Sequence, residues 1–362
     1  MDQPGEHTIA EILQQPAAWK AALTAVRSSA PRIRRLFHDR AAEPLLLIGC
    51  GSPYYLAESA AVLMRTYAGL RCLATPASEL IFHPRSLISE HAQPLLLIFS
   101  RSGETSEAIA AARLAQQLGG KVLAVGCDKA TTLLRLADLA IEIPEGRESS
   151  ATQTRSFAGM FVAAQAIVSQ LATRHASGST LHAVLEALPS LGTDYIDRAR
   201  ETVASLAADA AIERIFVLGS GTRFGLACEA ALKFQEMSLT MAQAFHTLEF
   251  RHGPMSLVGP GSLVIGLLDD DAAGEEAAVL RESEELGARL VILAEQSTPE
   301  LASIGTVLAF NSGLPSFAYD VLYLPPLQLM AYQRAMAKGL DPDAPPNVSP
   351  FIRRPSIEVL AQ

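Results

Sequence analysis

Short apolar runs of strand length alternate with helical patterns along most of the chain, and this alternation restricts the fold more than any other feature. The strand-like runs include Leu45–Gly49 and Leu95–Phe99, and they start again at 215–219 after a weaker stretch. Strands that alternate with helices of about ten or more residues favour a parallel sheet covered by helices on both faces. The sequence therefore predicts an α/β fold with doubly wound sheets.

The remaining predicted elements follow the same pattern. The other predicted strands are 122–126, 139–143, 263–268, 290–294 and 307–310. The predicted helices are 6–39 with a break at Pro16, 54–67, 104–118, 151–173, 224–238, 275–286 and 318–338.

Two similar hexapeptides open the two halves of the chain. Residues 47–52 read LIGCGS and residues 217–222 read VLGSGT. Their separation is too long for a solenoid repeat and fits a duplicated α/β domain. We therefore expect an N-terminal helical segment (1–40), a first domain (41–175), a linker (176–200), a second domain (201–340) and a C-terminal tail (341–362).

Composition excludes several classes of protein. The 362 residues carry a net charge of −9 without a basic run, which disfavours nucleic acid as a partner. The four cysteines lack metal-ligand spacing and are expected to be buried free thiols in a reducing compartment. The N-terminus does not resemble a signal peptide, and no apolar run reaches the roughly 18 residues of a membrane span. We expect a cytoplasmic, soluble protein without a membrane partner.

The turn after the predicted strand 95–99 is a candidate phosphate site. It reads SRSGET over residues 100–105 and precedes a predicted helix. A helix N-terminus offers unpaired N–H groups and a partial positive charge, which suit a phosphate. The alternative is that Ser102 or Thr105 simply caps the helix. A second polar cluster at 149–154 starts another predicted helix, and two such clusters at strand ends favour a ligand in the crevice of the sheet.

The second half lacks an equivalent of the SRSGET turn. Its strand 263–268 runs into Asp269, Asp270 and Asp271. Three carboxylates cannot receive a phosphate, so the second half is expected to contribute something else.

A predicted helix in the second half carries charged residues at helical spacing. Glu229, Lys233 and Glu236 fall at positions i, i+4 and i+7, on one face. Spacing alone favours a solvated stripe with a Glu–Lys pair worth about 0.3–0.5 kcal/mol. The alternative is a half-buried cleft, in which burial moves the pKa of a glutamate towards that of a general base.

Residues 246–258 form a further candidate segment, in which His252 starts a His-Gly-Pro turn. Loops carry binding and catalytic residues disproportionately often. A lone histidine in a loop is still more often structural than catalytic.

Five motifs occur in the order typical of one known family. They are EILQQPAAW (11–19), SRSGET (100–105), GRESSATQTRSF (146–157), EAALKFQE with EFRHGP (229–236 and 249–254), and PLQLMAYQRAMAKGLDPDAP (326–345). The chain thereby resembles the sugar isomerase (SIS) domain family. It is most similar to the isomerase half of glutamine–fructose-6-phosphate aminotransferase and the related hexosamine-6-phosphate deaminases and isomerases.

This resemblance implies two SIS domains, each a parallel sheet flanked by helices, and a homodimer with shared active sites and no metal or organic cofactor. The substrate would be a phosphorylated amino sugar or ketose. The residues implied to bind it and its phosphate are Gly51, Ser52, Ser100, Arg101, Ser102, Gly103, Thr105, Glu148 and Thr152, with Glu148 on the sugar hydroxyls. Glu236 would move a proton between carbons 1 and 2 with help from Lys233. His252, from the partner subunit, would open the sugar ring.

Departures from the family motifs indicate the subtype. Residues 346–360 read PNVSPFIRRPSIEVL where the aminotransferases carry N-L-A-K-S-V-T-V-E, and no lysine lies beyond Lys338, so their imine-forming lysine is missing. No N-terminal cysteine nucleophile is present either, and we expect no use of glutamine as the ammonia source. Removal of ammonia needs neither group, because the amine of the substrate itself becomes the imine.

The sequence therefore predicts a hexosamine-6-phosphate deaminase/isomerase that releases ammonia from glucosamine 6-phosphate. The alternatives are a fructosamine-6-phosphate deglycase, a stand-alone isomerase domain of the aminotransferase type, a plain aldose–ketose isomerase, and a non-catalytic sugar-phosphate sensor. The tail arginines, Arg353 and Arg354, either cover the site or face solvent, and we expect solvent exposure.

Overall fold

The computed structural model describes residues 3–39, 44–172, 178–207, 209–354 and 356–357. Contacts between residues divide the chain into two units, each built from three segments. The first unit comprises Gln14–Glu148, Gln153–Pro189 and Ser349–Gln362. The second unit comprises Met1–Leu13, Ser149–Thr152 and Ser190–Val348.

These units divide the chain differently from the five predicted regions. The predicted N-terminal segment 1–40 is shared, because residues up to Leu13 join the second unit and the residues from Gln14 join the first. The predicted linker 176–200 is helical where it is described, and the predicted tail splits after Val348. Residues 40–43 and 173–177, at the predicted ends of the first domain, lie outside the described residues.

Helix α1 (Glu6–Leu13) belongs to the second unit, and the first unit follows it along the chain. The first unit contains five parallel strands in the order β2-β1-β3-β4-β5. They are β1 (Leu45–Gly49), β2 (Cys72–Pro76), β3 (Leu95–Phe99), β4 (Lys121–Gly126) and β5 (Leu139–Glu142). Its helices are α2 (Gln15–Asp39), α3 (Ser52–Leu63), α4 (Ala77–Phe82), α5 (Pro84–Leu87), α6 (Ser106–Gln117), α7 (Thr132–Leu136), α8 (Arg155–Leu171) and α9 (Gly178–Leu185).

Helix α10 (Leu188–Ala207) leads into the second unit. The sheet of this unit is also parallel and five-stranded, in the order β7-β6-β8-β9-β10. Its strands are β6 (Arg214–Gly219), β7 (Met241–Phe245), β8 (Ser262–Leu267), β9 (Arg289–Ala294) and β10 (Thr306–Ala309). Its further helices are α11 (Thr222–Ser238), α12 (Ala273–Glu285), α13 (Pro299–Ile304), α14 (Ser316–Tyr319) and α15 (Leu324–Ala337).

The two sheets have the same strand order, which confirms the predicted fold class and agrees with a duplicated domain. In each sheet the second strand lies outside the first, and the third lies on the opposite side of the first. Strand order therefore reverses between β1 and β3, and again between β6 and β8. Such reversal points are where open α/β sheets bind their ligands.

Each sheet is buried under helices of its own unit. All residues of β1 and β3 are buried, as expected for central strands of a parallel sheet. Leu46 and Ile98 belong to one apolar cluster with Ile109 of α6. Phe216 and Val264 belong to the corresponding cluster of the second unit, with Leu280 of α12.

Every predicted strand is present, with ends shifted by at most one residue. The sequence missed β2 and β7, which are the edge strands next to β1 and β6. Both are short, and both turn apolar side chains outward: Leu73 is 48% exposed and Met241 is 76% exposed. Edge strands of this kind lack the continuous apolar run by which the central strands are recognised.

Several helix ends differ from the prediction. The break in 6–39 comes at Gln14 rather than Pro16, which lies in the first turn of α2. Helix α8 begins at Arg155 rather than 151, because residues 149–152 form a loop. The predicted helix 318–338 is interrupted by a 3₁₀ turn over Asp320–Tyr323. No described helix is both long and apolar enough to span a membrane.

All four cysteines are free thiols. Cys127 is fully buried, whereas Cys50, Cys72 and Cys228 are only partly buried, so the expectation of full burial holds for Cys127 among the four. Burial raises the pKa of the Cys50 thiol to about 12, which leaves it unreactive at neutral pH.

Candidate functional site

The first strand of each sheet ends in the same glycine turn. Gly51 has φ 62° and ψ −128°, and Gly221 has φ 58° and ψ −129°. Side chains of L-residues rarely adopt these angles, so glycine is required at both positions. The turns start α3 at Ser52 and α11 at Thr222, next to the points where strand order reverses.

The loop Ser100–Thr105, which we call the SRSGET loop, follows β3 at the reversal point of the first sheet. Its backbone is fixed by neighbouring segments: the carbonyl of Arg101 accepts a hydrogen bond from the N–H of Cys127 (3.0 Å), and that of Gly103 accepts one from the N–H of Leu133 (3.0 Å). Gly103 has φ 59°, and a Cβ there would lie 2.0 Å from the Thr131 hydroxyl oxygen. Only glycine fits this position.

The hydroxyl groups of the SRSGET loop are arranged for an anion. Ser100 Oγ accepts a hydrogen bond from the N–H of Gly103, and Ser102 Oγ accepts one from the N–H of Glu104, both at 3.2 Å. Each hydroxyl keeps its own proton for donation to a ligand. Thr105 occupies the N-cap position of α6 without a capping hydrogen bond from its side chain, so simple capping does not describe it. Donors beside a helix N-terminus suit a phosphate.

Arg101 is held by Glu148 rather than projecting freely. Its Nη1 lies 3.1 Å from Glu148 Oε2, and the Glu148 side chain has no exposed surface. Glu148 Oε1 also accepts hydrogen bonds from the N–H groups of Thr154 (2.7 Å) and Ser156 (3.0 Å), at the start of α8. Both oxygens are therefore engaged inside the protein, and the contact of Glu148 with sugar hydroxyls stays a prediction.

Thr152 also has a partner inside the protein. Its side chain is buried, and its hydroxyl lies within hydrogen-bonding distance of the Pro342 carbonyl, to which it donates (3.3 Å). The hydroxyl of Thr152 thus helps to fix the loop 149–152, and its binding of a substrate stays a prediction.

The C-terminal tail lies against the SRSGET loop. Arg101 Nη2 donates to the carbonyl of Pro350 (2.7 Å), and the N–H of Ser106, the first residue of α6, donates to the carbonyl of Ile352 (3.1 Å). Arg353 pairs with Glu104 at 2.6 Å. Arg353 is exposed as expected, at 60%, and its guanidinium also pairs with Glu104.

Helix α11 of the second unit brings three charged side chains together. Lys233 Nζ lies 3.4 Å from Glu229 Oε1 and 2.5 Å from Glu236 Oε2. The side chains of Glu229 and Lys233 are 1% exposed, whereas that of Glu236 is 20% exposed. The solvated-stripe interpretation was therefore wrong. Burial of a lysine requires nearby carboxylates, and Glu236 is the member of this group that a substrate can reach.

His252 lies on the surface of the second unit. It is exposed and joins two 3₁₀ turns, Leu248–Arg251 and Pro254–Leu257, through Gly253. An exposed imidazole on a tight turn is accessible to a ligand or to another protein chain.

The reversal point of the second sheet is filled by the protein's own charges. Arg223, in the first turn of α11, pairs with Asp320 at 3.2 Å and with Asp269. Burial raises the pKa of Asp320 to about 6, against the opposing effect of Arg223. As predicted from the three consecutive aspartates, this position offers an anion no free cation. Among the described residues, no group of three or more His, Cys, Asp or Glu is placed to hold a metal ion.

Comparison with known proteins identifies the family. The family model of the SIS domain matches residues 40–172 and 210–336. The chain belongs to the SIS domain family.

The chain is also similar to two aminotransferase sequences, one of them a solved structure. Glutamine–fructose-6-phosphate aminotransferase (isomerizing) of Pseudomonas aeruginosa is 29% identical over 356 residues, which cover 94% of this chain and 57% of that protein. The chain thus spans little more than half the length of this relative. The C-terminal domain of glucosamine-fructose-6-phosphate aminotransferase from Francisella tularensis has a TM-score of 0.82 at 22% identity, over 93% of this chain and 98% of that one.

The same fold occurs in a solved structure named tagatose-6-phosphate ketose/aldose isomerase, from Escherichia coli. Its TM-score is 0.83 at 22% identity, and the match covers 97% of this chain and 98% of that one. At this identity the likeness establishes the fold alone.

Sequence reasoning missed the supporting residues of the SIS site. Glu104 accepts hydrogen bonds from the N–H and hydroxyl of Thr132 (2.8 and 3.0 Å), and these fix the loop before α7. Glu11 and Asp343 bind the loop 149–152. Their only signal in the sequence was their place inside two of the five motifs, which indicated no role.

Replacement of Gly103 by alanine should disrupt the SRSGET loop. We expect Gly103→Ala to lower the free energy of unfolding by about 2 kcal/mol or more, because the positive φ and the contact with Thr131 both oppose a Cβ. Urea denaturation measures this loss. Gly339→Ala is the matched control, since its φ is 68° and its Cβ would meet no atom within 4 Å. Equal losses in the two variants would contradict the steric argument.

Removal of the Lys233 charge should destabilise α11. We expect Lys233→Met to lower the free energy of unfolding by about 3 kcal/mol, because Glu229 then stays buried without its cation. A second change, Glu229→Gln, should restore part of the loss, and urea denaturation of the single and double variants tests this. Glu236→Gln alone should cost about 1 kcal/mol or less, since that side chain is partly exposed. If the double variant is no more stable than Lys233→Met, the proposed interaction between Lys233 and the buried Glu229 carboxylate is refuted.

Proposed function

We propose that this SIS protein is a phosphosugar isomerase that acts on amino sugars: a hexosamine-6-phosphate deaminase/isomerase that converts glucosamine 6-phosphate and water into fructose 6-phosphate and ammonia. The observation that carries the proposal is the group on α11, where a buried lysine holds a partly exposed glutamate. Such a pair is suited to take up and return a proton.

The SRSGET loop supports a phosphorylated substrate. Ser100 and Ser102 each keep a hydroxyl proton for donation, and the loop leads into the N-terminus of α6. In the proposal, these hydroxyls and Thr105 bind the phosphate, and Gly51 with Ser52 lines the same pocket. Arg101, which is 7% exposed and paired with Glu148, stiffens the loop.

The proposed proton transfer uses the carboxylate of Glu236. In the open-chain aldose, Glu236 removes the proton from carbon 2 and returns it to carbon 1. The carbonyl oxygen at carbon 1 takes up one proton and becomes a hydroxyl group, and the amine at carbon 2 gives up one proton as its C–N bond becomes a double bond, so that no proton is gained or lost overall. Lys233, 2.5 Å from the carboxylate, orients it and compensates the charge that develops during transfer. The amine at carbon 2 is then an imine, and addition of water releases ammonia and leaves the ketone.

The tail supports the direction of this reaction. Aligned on Asn347, the lysine of the aminotransferase motif N-L-A-K falls on Pro350. Proline has no amine with which to form a ketimine. Its carbonyl instead accepts a hydrogen bond from Arg101. Synthesis of an amino sugar from a ketose needs an amine that forms the first imine, whereas deamination uses the amine of the substrate.

A coupled assay of purified protein with glucosamine 6-phosphate tests the proposal. We expect equal amounts of ammonia and fructose 6-phosphate from the wild type. Glu236→Gln should lose about 100-fold or more in kcat, since removal of a general base typically costs 10²–10⁴-fold, while calorimetric titration should still detect binding of the sugar phosphate.

Three outcomes would contradict it. Absence of ammonia with every hexosamine 6-phosphate, while an aldose 6-phosphate isomerises, would indicate a plain aldose–ketose isomerase. Turnover of a fructosamine 6-phosphate alone would indicate a deglycase. Binding without any turnover would indicate a sensor.

We also propose that the protein is a homodimer in which His252 serves the active site of the partner subunit and opens the sugar ring. Its exposure supports this role. Glu236→Gln and His252→Ala should each be inactive alone, and a mixture should regain about a quarter of wild-type activity if subunits exchange at random and one of the two sites in each mixed dimer is intact. Exchange is followed with differently tagged subunits. Mixed dimers without activity would remove the shared-site proposal.

A further inference from the structure

We infer that Glu11 is a positioning residue, whose buried carboxylate fixes the loop 149–152 and thereby sets the affinity of the proposed sugar-phosphate site. The identity of the substrate in this inference rests on the proposed function. The role of Glu11 rests on the geometry of the second unit. Glu11, the loop and the residues that complete the network all belong to that unit.

Glu11 of α1 binds one side of the loop. Its side chain is buried, at 3% exposure. One carboxylate oxygen accepts hydrogen bonds from the N–H groups of Ser149 (2.5 Å) and Ser150 (3.3 Å), and the other accepts the hydroxyl of Ser150. Hydrogen bonds to a carboxylate are stronger than those between neutral groups, so this side of the loop is held firmly.

The segment 341–343 binds the other side of the loop. The N–H of Ala151 donates to the carbonyl of Asp343 (2.8 Å), and the hydroxyl of Thr152 donates to that of Pro342 (3.3 Å). The backbone N–H groups of three successive loop residues are therefore all satisfied by Glu11 and Asp343.

The two binding segments are themselves joined. The carboxylate of Asp343 accepts hydrogen bonds from the N–H of His7 (3.0 Å), the N–H of Thr8 (2.7 Å) and the hydroxyl of Thr8 (2.6 Å). These N–H groups belong to the first turn of α1, which has no partners for them within the helix. Asp343 thus fixes the helix from which Glu11 projects, and the loop, α1 and segment 341–343 form one hydrogen-bonded network.

A link to the substrate site follows from the place of the loop in the chain. It begins immediately after Glu148 and ends two residues before Thr154, and Glu148 binds both the N–H of Thr154 and Arg101 of the SRSGET loop. The loop itself has no helical or strand hydrogen bonds to hold its shape. Because the loop is joined to Glu148 through the chain, we expect the loss of Glu11 to disturb Glu148 and its hold on Arg101, and so to weaken substrate binding more than the proton transfer at Glu236.

Steady-state kinetics of three variants test the role. We expect Glu11→Ala to raise KM for glucosamine 6-phosphate about tenfold with a kcat change of about twofold or less, because misplaced binding groups cost affinity. Glu11→Gln should stay within about threefold of wild type, because its amide oxygen still accepts the two N–H groups. Glu6→Ala is the matched control: Glu6 lies on the same helix but is exposed and accepts a hydrogen bond from the N–H of Gln3.

Hydrogen–deuterium exchange provides a readout that does not need activity. The amides of Ser149, Ser150 and Ala151 should exchange faster in Glu11→Ala than in wild type and Glu6→Ala, while the strands of the second unit keep their protection. Should Glu11→Ala fail to fold, Ser150→Ala removes only the hydroxyl contact, and an intermediate rise in KM is expected.

The outcomes separate this inference from the proposed function. Wild-type protein without turnover would refute the function, and titration with fructose 6-phosphate would then measure affinity in place of KM. Unchanged affinity and unchanged exchange in Glu11→Ala would overturn the inference. Loss of protection throughout the second unit, or equal damage from Glu11→Gln, would also overturn it, because either result indicates general stability rather than placement of the loop.

Discussion

The reversal of strand order next to the first strand of each sheet is the constraint on which the rest of the structure depends. Helices that follow β1 and β3 must leave in opposite directions, so the loops at the carboxyl ends of these two strands separate. Gly51 permits the sharp turn on one side and Gly103 permits it on the other. The strand order therefore creates a polar surface between the loops that follow β1 and β3, and the residues of these loops determine its chemistry.

The two sheets use this shared geometry in different ways. In the first, small hydroxyl side chains line the SRSGET loop. In the second, Arg223 takes the corresponding region and is neutralised by Asp269 and Asp320. In the duplicated domain, one reversal point thus carries a loop of hydroxyl groups and the other is closed by internal ion pairs. The second copy instead places charged groups further along the same helix, at Lys233 and Glu236.

Patterns of burial made most of the fold predictable from sequence. Central strands such as β1 and β3 are apolar throughout because both faces are covered, and glycine turns mark their ends. The edge strands β2 and β7 were not predicted, because exposed positions such as Met241 interrupt the pattern of buried apolar residues. On α11 the spacing predicted a common face but not its burial, because neighbouring elements decide which side of a helix is covered.

Long-range hydrogen bonds account for the parts of the site that sequence reasoning did not predict. Glu148 and Thr152 lie in the expected segment, but their polar atoms are engaged by Arg101 and by the Pro342 carbonyl. Motif position indicates which segment reaches a site. It does not distinguish a side chain that touches a ligand from one that holds its neighbour, because the hydrogen-bond partners, such as His7 and Asp343, can lie hundreds of residues apart in the chain.

The division of the chain into interleaved segments has a consequence for biosynthesis. The second unit needs α1 from the beginning of the chain and residues 341–343 from near its end. During synthesis on the ribosome, the first N–H groups of α1 therefore remain bonded to water until Asp343 has left the ribosome. Contacts of such high sequence separation form late and slow folding. A fragment released before that residue would leave the second unit unfinished and open to degradation.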